Sequence, residues 1–224
     1  KGEGNIGLVT YIRTDSLRLS DEAIDNAKNY ILSNYGEKYY RYRLYKKAKK
    51  NESKVQDAHE AIRPTSLLRS PERLKDSLTS DQYKLYSLIW KRALACQMQD
   101  AEYDVTKVLF NNNDNIFESS GKILVFDGFR TVYGYTDEKD EKMLPELEIN
   151  EVLEILGILP EQHFTQPPVR YTEASLIKDL EEKGIGRPST YAPTITTITS
   201  RDYVAKEKGY LFPTDMGFLV TEMM

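Results

Sequence analysis

Apolar residues at Ala23, Ile24, Ala27, Ile31 and Leu32 recur at the three- and four-residue steps of a helix. Ser20 ahead of Asp21 and Glu22 supplies an N-cap and an acidic first turn, and Gly36 supplies a stop. A second helix is expected from Ser70-Pro71, where serine caps and proline fits the first helical position. A third is expected from Thr79-Ser80-Asp81-Gln82 through Tyr86, Ile89, Trp90, Ala93 and Met98. The period then shortens to two. Tyr103, Val105, Lys107 and Leu109 mark one face of a strand, Asn111-Asn112-Asn113-Asp114 is a turn cluster, and Ile116, Ile123, Val125 and Phe129 continue the pattern, which predicts a β-meander. A further β segment is expected around Ile149 to Leu159, before the break at Gln166-Pro167-Pro168. Beyond it, Thr172 caps a helix carrying Ala174, Leu176, Ile177 and Leu180, and Gly184-Ile185-Gly186 turns the chain. Ser189 then caps a helix that buries Ala192, Ile195 and Ile198, with Arg201 at its exit. Tyr203-Val204 and Tyr210-Leu211-Phe212 around Lys208-Gly209 read as a hairpin. The expected class is α+β and multidomain: a helix-rich unit over 1–98, a β-rich unit over 99–168, and a helix-turn-helix with a wing over 169–224.

Composition changes this picture in two ways. With 31 Lys plus Arg against 35 Asp plus Glu, the net charge is -4, not the basic balance of a general polyanion binder, so affinity for phosphates must be local and salt-sensitive. A length of 224 residues with 40% hydrophobic content supports real cores. No segment is apolar for long enough to span a bilayer and no signal peptide is visible, so a cytoplasmic setting without membrane is the default; the lone Cys96 excludes an internal disulfide and reads as a helix packing residue. The chain opens on Lys1 and closes on Thr221-Glu222-Met223-Met224 inside a helical pattern, and so reads as an excised piece.

The candidate chemistry sits near the start. Gly7 to Ile12 reads as a short apolar strand entering a polar turn, which puts Tyr11 and Arg13 on one face with Val9 below them. A phenol has a pKa of about 10, so it needs a nearby cation to favour the reactive form. Arginine supplies that charge and grips a phosphate through two hydrogen bonds. Packing is the commoner role for a tyrosine in a chain with 16 of them. The start of the helix after Gly186 offers a second anion site from backbone amides, Arg187 and the Ser189 and Thr190 hydroxyls, although many helix pairs of this kind merely pack. Tyr39 to Lys50 interleaves aromatic and basic residues, either to follow a nucleic-acid backbone or as a solvated linker. The acidic run Asp137 to Glu141 reads as an exposed loop rather than a metal site, and His163 as structural.

Three blocks then carry a resemblance. Leu8-Val9-Thr10-Tyr11-Ile12-Arg13-Thr14-Asp15-Ser16 resembles the active-site segment of the type IA DNA topoisomerases, Gln56 to Thr65 is similar to the family's HEAIRP segment, and Glu173 to Ile177 with Gly184 to Tyr191 is similar to its EASL and GIGRPSTY segment. The order agrees, and the likeness runs from Gly2 to about Val220; Lys1-Gly2-Glu3-Gly4 looks most like the bacterial enzyme.

The resemblance implies that Tyr11 attacks a phosphodiester of single-stranded DNA, becoming joined to the 5′ phosphate and freeing a 3′ hydroxyl, with Arg13 and His59 at the phosphate. A satisfied structural histidine is the rival reading of His59. Thr10, Thr14 and Asp15 would orient this centre on the DNA, and Arg187, Ser189, Thr190 and Arg201 would bind the backbone. The 99–168 unit would be part of an arch, and the parent a monomeric, nucleoid-associated enzyme that relaxes negative supercoils without ATP. Magnesium would belong to an N-terminal Toprim domain with a DxDxE cluster, which this stretch does not include. No metal ligand is assigned within it, and relaxation by these residues alone is not expected. The competing class is a non-catalytic single-stranded DNA-binding module in which Tyr11 is only a stacking platform.

Overall fold

The computed structural model describes residues 6–14, 16–45, 60–134 and 143–224. Asp15, His59, the basic run 46–50 and the acidic run 137–141 therefore lie outside the described residues. The chain divides into two compact units, Lys1–Glu151 and Val152–Met224. Each is a mixture of helices and a small antiparallel sheet, an α+β arrangement.

The first unit is built on two long helices, and local rules account for both. Helix α1 (Asp21–Asn34) starts where the Ser20 hydroxyl accepts from the Ala23 N–H, and it ends where Tyr35 and Gly36 donate back to the Ile31 carbonyl, with Gly36 at φ +96°. A single turn, α2 (Pro71–Leu74), follows Ser70 with proline at its start. Helix α3 (Ser80–Ala95) opens on a reciprocal capping box between Thr79 and Gln82. Their apolar faces meet in a core of Ile31, Tyr86, Trp90, Leu94 and Met98. The polar tips of that core reach outward: Trp90 Nε1 donates to the Leu67 carbonyl at 3.1 Å and the Tyr86 hydroxyl to the Arg69 carbonyl at 2.7 Å. Aromatic burial thereby also fixes the irregular chain before α2.

The expected meander is a single hairpin. Strands β1 (Glu102–Asn112) and β2 (Asn115–Phe126) pair antiparallel through a two-residue turn, with Asn113 at φ +54°. Phe129 does not continue the strand. Gly128, at φ +48°, packs so closely on the Asp100 carbonyl that a Cβ would collide with backbone, and Phe129 then enters the short helix α4 (Arg130–Tyr133) while donating to the Gln99 carbonyl at 2.9 Å. The β segment expected from Ile149 to Leu159 is also not a strand. Ile149, Val152, Leu156 and Leu159 are almost wholly exposed, Asn150 takes a positive φ, and no described strand offers that segment a ladder.

The second unit follows the sequence pattern more closely. Helix α5 (Glu173–Glu182) is capped by Thr172, and Gly184 and Gly186 turn the chain at φ +71° and +77° into α6 (Pro188–Ser200). Strands β3 (Val204–Glu207) and β4 (Tyr210–Pro213) make the hairpin, its tip Lys208-Gly209 having positive φ at both residues, and α7 (Asp215–Met223) closes the order. The capping of α6 differs from expectation. Pro188 occupies the first helical position, so the cap falls on Arg187 and the Thr190 hydroxyl accepts from its N–H at 2.9 Å, leaving Ser189 inside the first turn. Ala192 is exposed and Tyr191 is buried in its stead beside Ile195, while Ile198 is half-buried. Among the described residues no helix is long and apolar enough to cross a membrane.

Candidate active site

The segment Gly7–Thr14 is held not as a strand of a sheet but by two short runs of hydrogen bonds. Val9 pairs with Pro64 as an isolated antiparallel bridge. Thr10 N–H donates to the Arg63 carbonyl at 2.9 Å and Thr65 N–H to the Leu8 carbonyl at 3.0 Å. The Arg63 N–H, which would carry the ladder on to the Thr10 carbonyl, goes to the Thr10 hydroxyl instead, and the expected strand is a single bridge. Side chains complete the tie. The Thr10 hydroxyl donates to the Ala61 carbonyl at 2.9 Å and accepts from the Arg63 N–H at 3.0 Å, and the Thr65 hydroxyl donates to the Gly7 carbonyl at 2.8 Å. Thr10 thus spends its hydroxyl on positioning Tyr11.

Tyr11 projects from this pinned segment and is 63% exposed. The Arg13 guanidinium carbon lies 5.8 Å from the centroid of its ring, within range of a cation–π contact. The pair therefore shares one side of the segment, although no strand alternation produces it. Thr14 is exposed one residue further on. Arg13 has no carboxylate partner among the described residues, so its charge is available to an incoming anion.

Glu60 and Arg63, which the motif alone does not mark as functional, anchor the other side. The Glu60 carboxylate accepts from Arg63 Nε at 2.7 Å and Nη2 at 3.0 Å, and from the Ser20 N–H at 2.8 Å, the residue that caps α1. The Ala61 N–H donates to the Arg18 carbonyl at 2.8 Å. The signal in the sequence is the Glu60-to-Arg63 spacing inside a half-apolar segment. Burial opposes ionisation of Glu60, but the hydrogen bonds from Arg63 and Ser20 and the Arg63 charge outweigh it and hold the carboxyl below its ordinary value. A depressed carboxyl stabilises the fold above its unfolded pKa and loses that contribution as pH falls through the folded value. Glu60→Gln is expected to lower unfolding free energy by about 1–2 kcal/mol at neutral pH and to flatten its decline on acidification, as measured by urea unfolding across a pH series; an unchanged acid limb would remove Glu60 from this role.

The remaining expected residues have the following local settings. Arg41 and Arg43 both pair with Asp100, and the buried Gln97 side chain donates to the Arg43 carbonyl at 3.0 Å, so 39–45 is a strap fastened to the end of α3 rather than a free basic track. Cys96 is half-buried at the end of α3, its thiol donating to the Ala93 carbonyl at 3.0 Å. His163 is exposed, 3.3 Å from the Glu161 carboxylate. In the second unit Arg187 Nη1 folds back onto the Gly186 carbonyl at 2.8 Å, the Thr190 hydroxyl bridges the Arg187 N–H and C=O, and Ser189 is exposed. Arg201 caps the far end of α6, about 20 Å away at 1.5 Å per residue. Arg187 and Arg201 therefore cannot grip one phosphate together. No group of three His, Cys, Asp or Glu that could hold a metal converges among the described residues.

The family of proteins described as DNA topoisomerase matches residues 4–224, which is nearly the whole chain. The chain belongs to the DNA topoisomerase family. It is also similar to the full-length topoisomerase I structure from Thermotoga maritima, at 39% identity and a TM-score of 0.79. That likeness covers 98% of this chain and 35% of the Thermotoga chain, so the present residues span about a third of that relative's length. Membership places the pinned Tyr11–Arg13 segment in a protein family that acts on DNA.

Proposed function

We propose that this chain carries the strand-cleaving centre of a type IA DNA topoisomerase, with Tyr11 as its nucleophile. The observation that carries the reading is the Arg13 guanidinium beside an exposed Tyr11 ring, on a segment locked by Thr10. The Tyr11 oxygen attacks phosphorus, the bond to the 3′ oxygen breaks, the phenol proton passes to a base, and the departing oxygen takes up a proton. Arg13 offsets charge on the equatorial oxygens. His59, next to the anchored Glu60, assists by hydrogen bonding to the phosphate or relaying the proton. One phosphate ester replaces another, so the free-energy change is small and resealing needs no ATP.

Thr14 and Asp15 orient the strand beside Tyr11. Arg187, the Ser189 N–H, Thr190 and Arg201 hold backbone phosphates of different nucleotides, since the ends of α6 are far apart. The preferred substrate is single-stranded DNA, the active form a monomer, and the outcome relaxation of negative supercoils. Among the described residues no donor set fits the magnesium that the family resemblance assigns to a Toprim domain; the roles given to Tyr11, Arg13 and His59 are those of the side chains themselves. These 224 residues are expected to retain single-stranded DNA without completing relaxation.

End-labelled oligonucleotides test the chemistry in a full-length protein that contains this chain. After denaturation, a 3′-end label should stay with the protein and a 5′-end label should be released. The opposite partition would place the link on the other phosphate ester, and no retained label with either end would leave only a DNA-binding module. Robust magnesium-dependent relaxation by the 224-residue chain would contradict the division of labour.

A further inference from the structure

A cavity of about 400 Å³ opens beside the reactive segment. Thr14 and Ser16 form part of its wall, and so does Ala61-Ile62, the stretch tied to Thr10 and Arg18. Leu17 and Phe129 add apolar surface, while Tyr45, Arg43 and Arg92 bring an aromatic ring and two guanidinium groups. Volume and lining fall within the range of small-ligand sites, about 300–1,000 Å³ with few polar groups on an apolar wall.

The polar groups differ in what they have left to give. Arg43 Nη2 is committed to Asp100 at 2.6 Å. The Tyr45 hydroxyl donates to the Cys96 carbonyl at 2.9 Å, which fixes the ring in the wall. Arg92, in the last turn of α3, is exposed, and its side chain makes no ion pair or hydrogen bond among the described residues. A free guanidinium near a held aromatic ring and an apolar wall suits a group that is flat and apolar on its faces and anionic at one end. A nucleotide has that form, since its base stacks and its phosphate takes the fork. A purely apolar ligand would leave Arg92 unused, and a bare anion would leave the ring unused.

We propose that this cavity holds one nucleotide of the single strand close to the phosphate that Tyr11 attacks, with its base against Tyr45 and Phe129 and its phosphate on Arg92. The location rests on the Tyr11 reading, whereas the chemistry of the cavity does not. Thr14 is three residues from Tyr11, at most about 11 Å of extended chain, and a stacked strand rises about 3.4 Å per nucleotide. The held nucleotide is thus within a few positions of the scissile one. A base read at a fixed offset from the nucleophile makes the cutting position depend on sequence.

Binding is measured on the Tyr11→Phe protein, so that cleavage does not intervene, with short oligonucleotides made abasic at one position at a time. Cys96 lines the cavity and is the chain's single cysteine, so its rate of reaction with a thiol reagent reports occupancy. The intact oligonucleotide should slow that reaction, and one abasic position should lower affinity about ten-fold and restore the rate. In Arg92→Ala, where alanine preserves the helix, the same abasic position should cost less than about two-fold, and Tyr45→Leu should behave alike. Equal abasic penalties in the parent and Arg92→Ala proteins at every position, or an unprotected Cys96, would overturn the site. The two readings fail separately. A normal Tyr11 adduct without this coupling sinks only the nucleotide site, and coupling without an adduct sinks only the nucleophile.

Discussion

In the Tyr11→Phe protein, the covalent DNA adduct is expected to fall at least about a thousand-fold, the scale of loss when a nucleophile is removed. Phenylalanine keeps the ring and deletes the only atom that can attack. Retention of single-stranded DNA should stay within about two- to three-fold, because the ring can still stack and Arg13 keeps its charge. The fold should hardly notice, since Tyr11 is 63% exposed and exposed substitutions usually change stability by less than about 0.5 kcal/mol. Arg13→Lys separates charge from geometry. Lysine preserves the cation but not the two-pronged grip, so cleavage should drop by about ten-fold or more with a smaller change in binding. Denaturing-gel detection of protein-linked label, beside filter retention, reads both quantities; an adduct that persists in Tyr11→Phe takes the phenol out of the reaction.

Trp90→Ala is expected to cost about 4 kcal/mol of unfolding free energy, a large share of the roughly 5–15 kcal/mol that holds a domain together. Trp90 is 5% exposed, meets Tyr30 edge-on with ring centroids 5.6 Å apart, and donates to the Leu67 carbonyl. The substitution opens a cavity and frees that carbonyl at once. Leu67 lies two residues beyond Thr65, whose N–H and hydroxyl hold Leu8 and Gly7, so the loss propagates toward Tyr11. Trp90→Phe should keep most of the packing and cost about 1–2 kcal/mol. Urea unfolding followed by far-ultraviolet dichroism distinguishes the pair, and equal stabilities would show that the ring is not part of the core's support.

The helices were legible because their signals are local. Ser20, Thr79 with Gln82, and Thr172 each satisfy a backbone N–H within three residues, and Lys208-Gly209 admits the positive φ of a tight hairpin. The α6 cap falls two residues ahead of Ser189, at Arg187, because Pro188 in the first helical position outranks a serine hydroxyl. The apolar-rich stretch from Ile149 to Leu159 reads as a β segment, but a strand exists only where a second backbone answers it.

The candidate site divides along the same line. Its residue types were readable in the motif, since a tyrosine two residues from an arginine and a His59-Glu60 pair ahead of Arg63 are matters of order along the chain. Its geometry was not. The Thr10 tie to Ala61 and Arg63, and the Glu60 link to Ser20 and the α1 cap, join residues 40 or more positions apart. So does the commitment of Arg41 and Arg43 to Asp100, which fastens the described part of the basic stretch to the end of α3. Order along the chain determined the helices, the turns and the chemical vocabulary of this protein, because caps, period and backbone preference act over a few residues. Tertiary structure alone decided which hydroxyls position, which cations stay free and where the phenol points, because those outcomes depend on partners that only folding brings within about 3 Å.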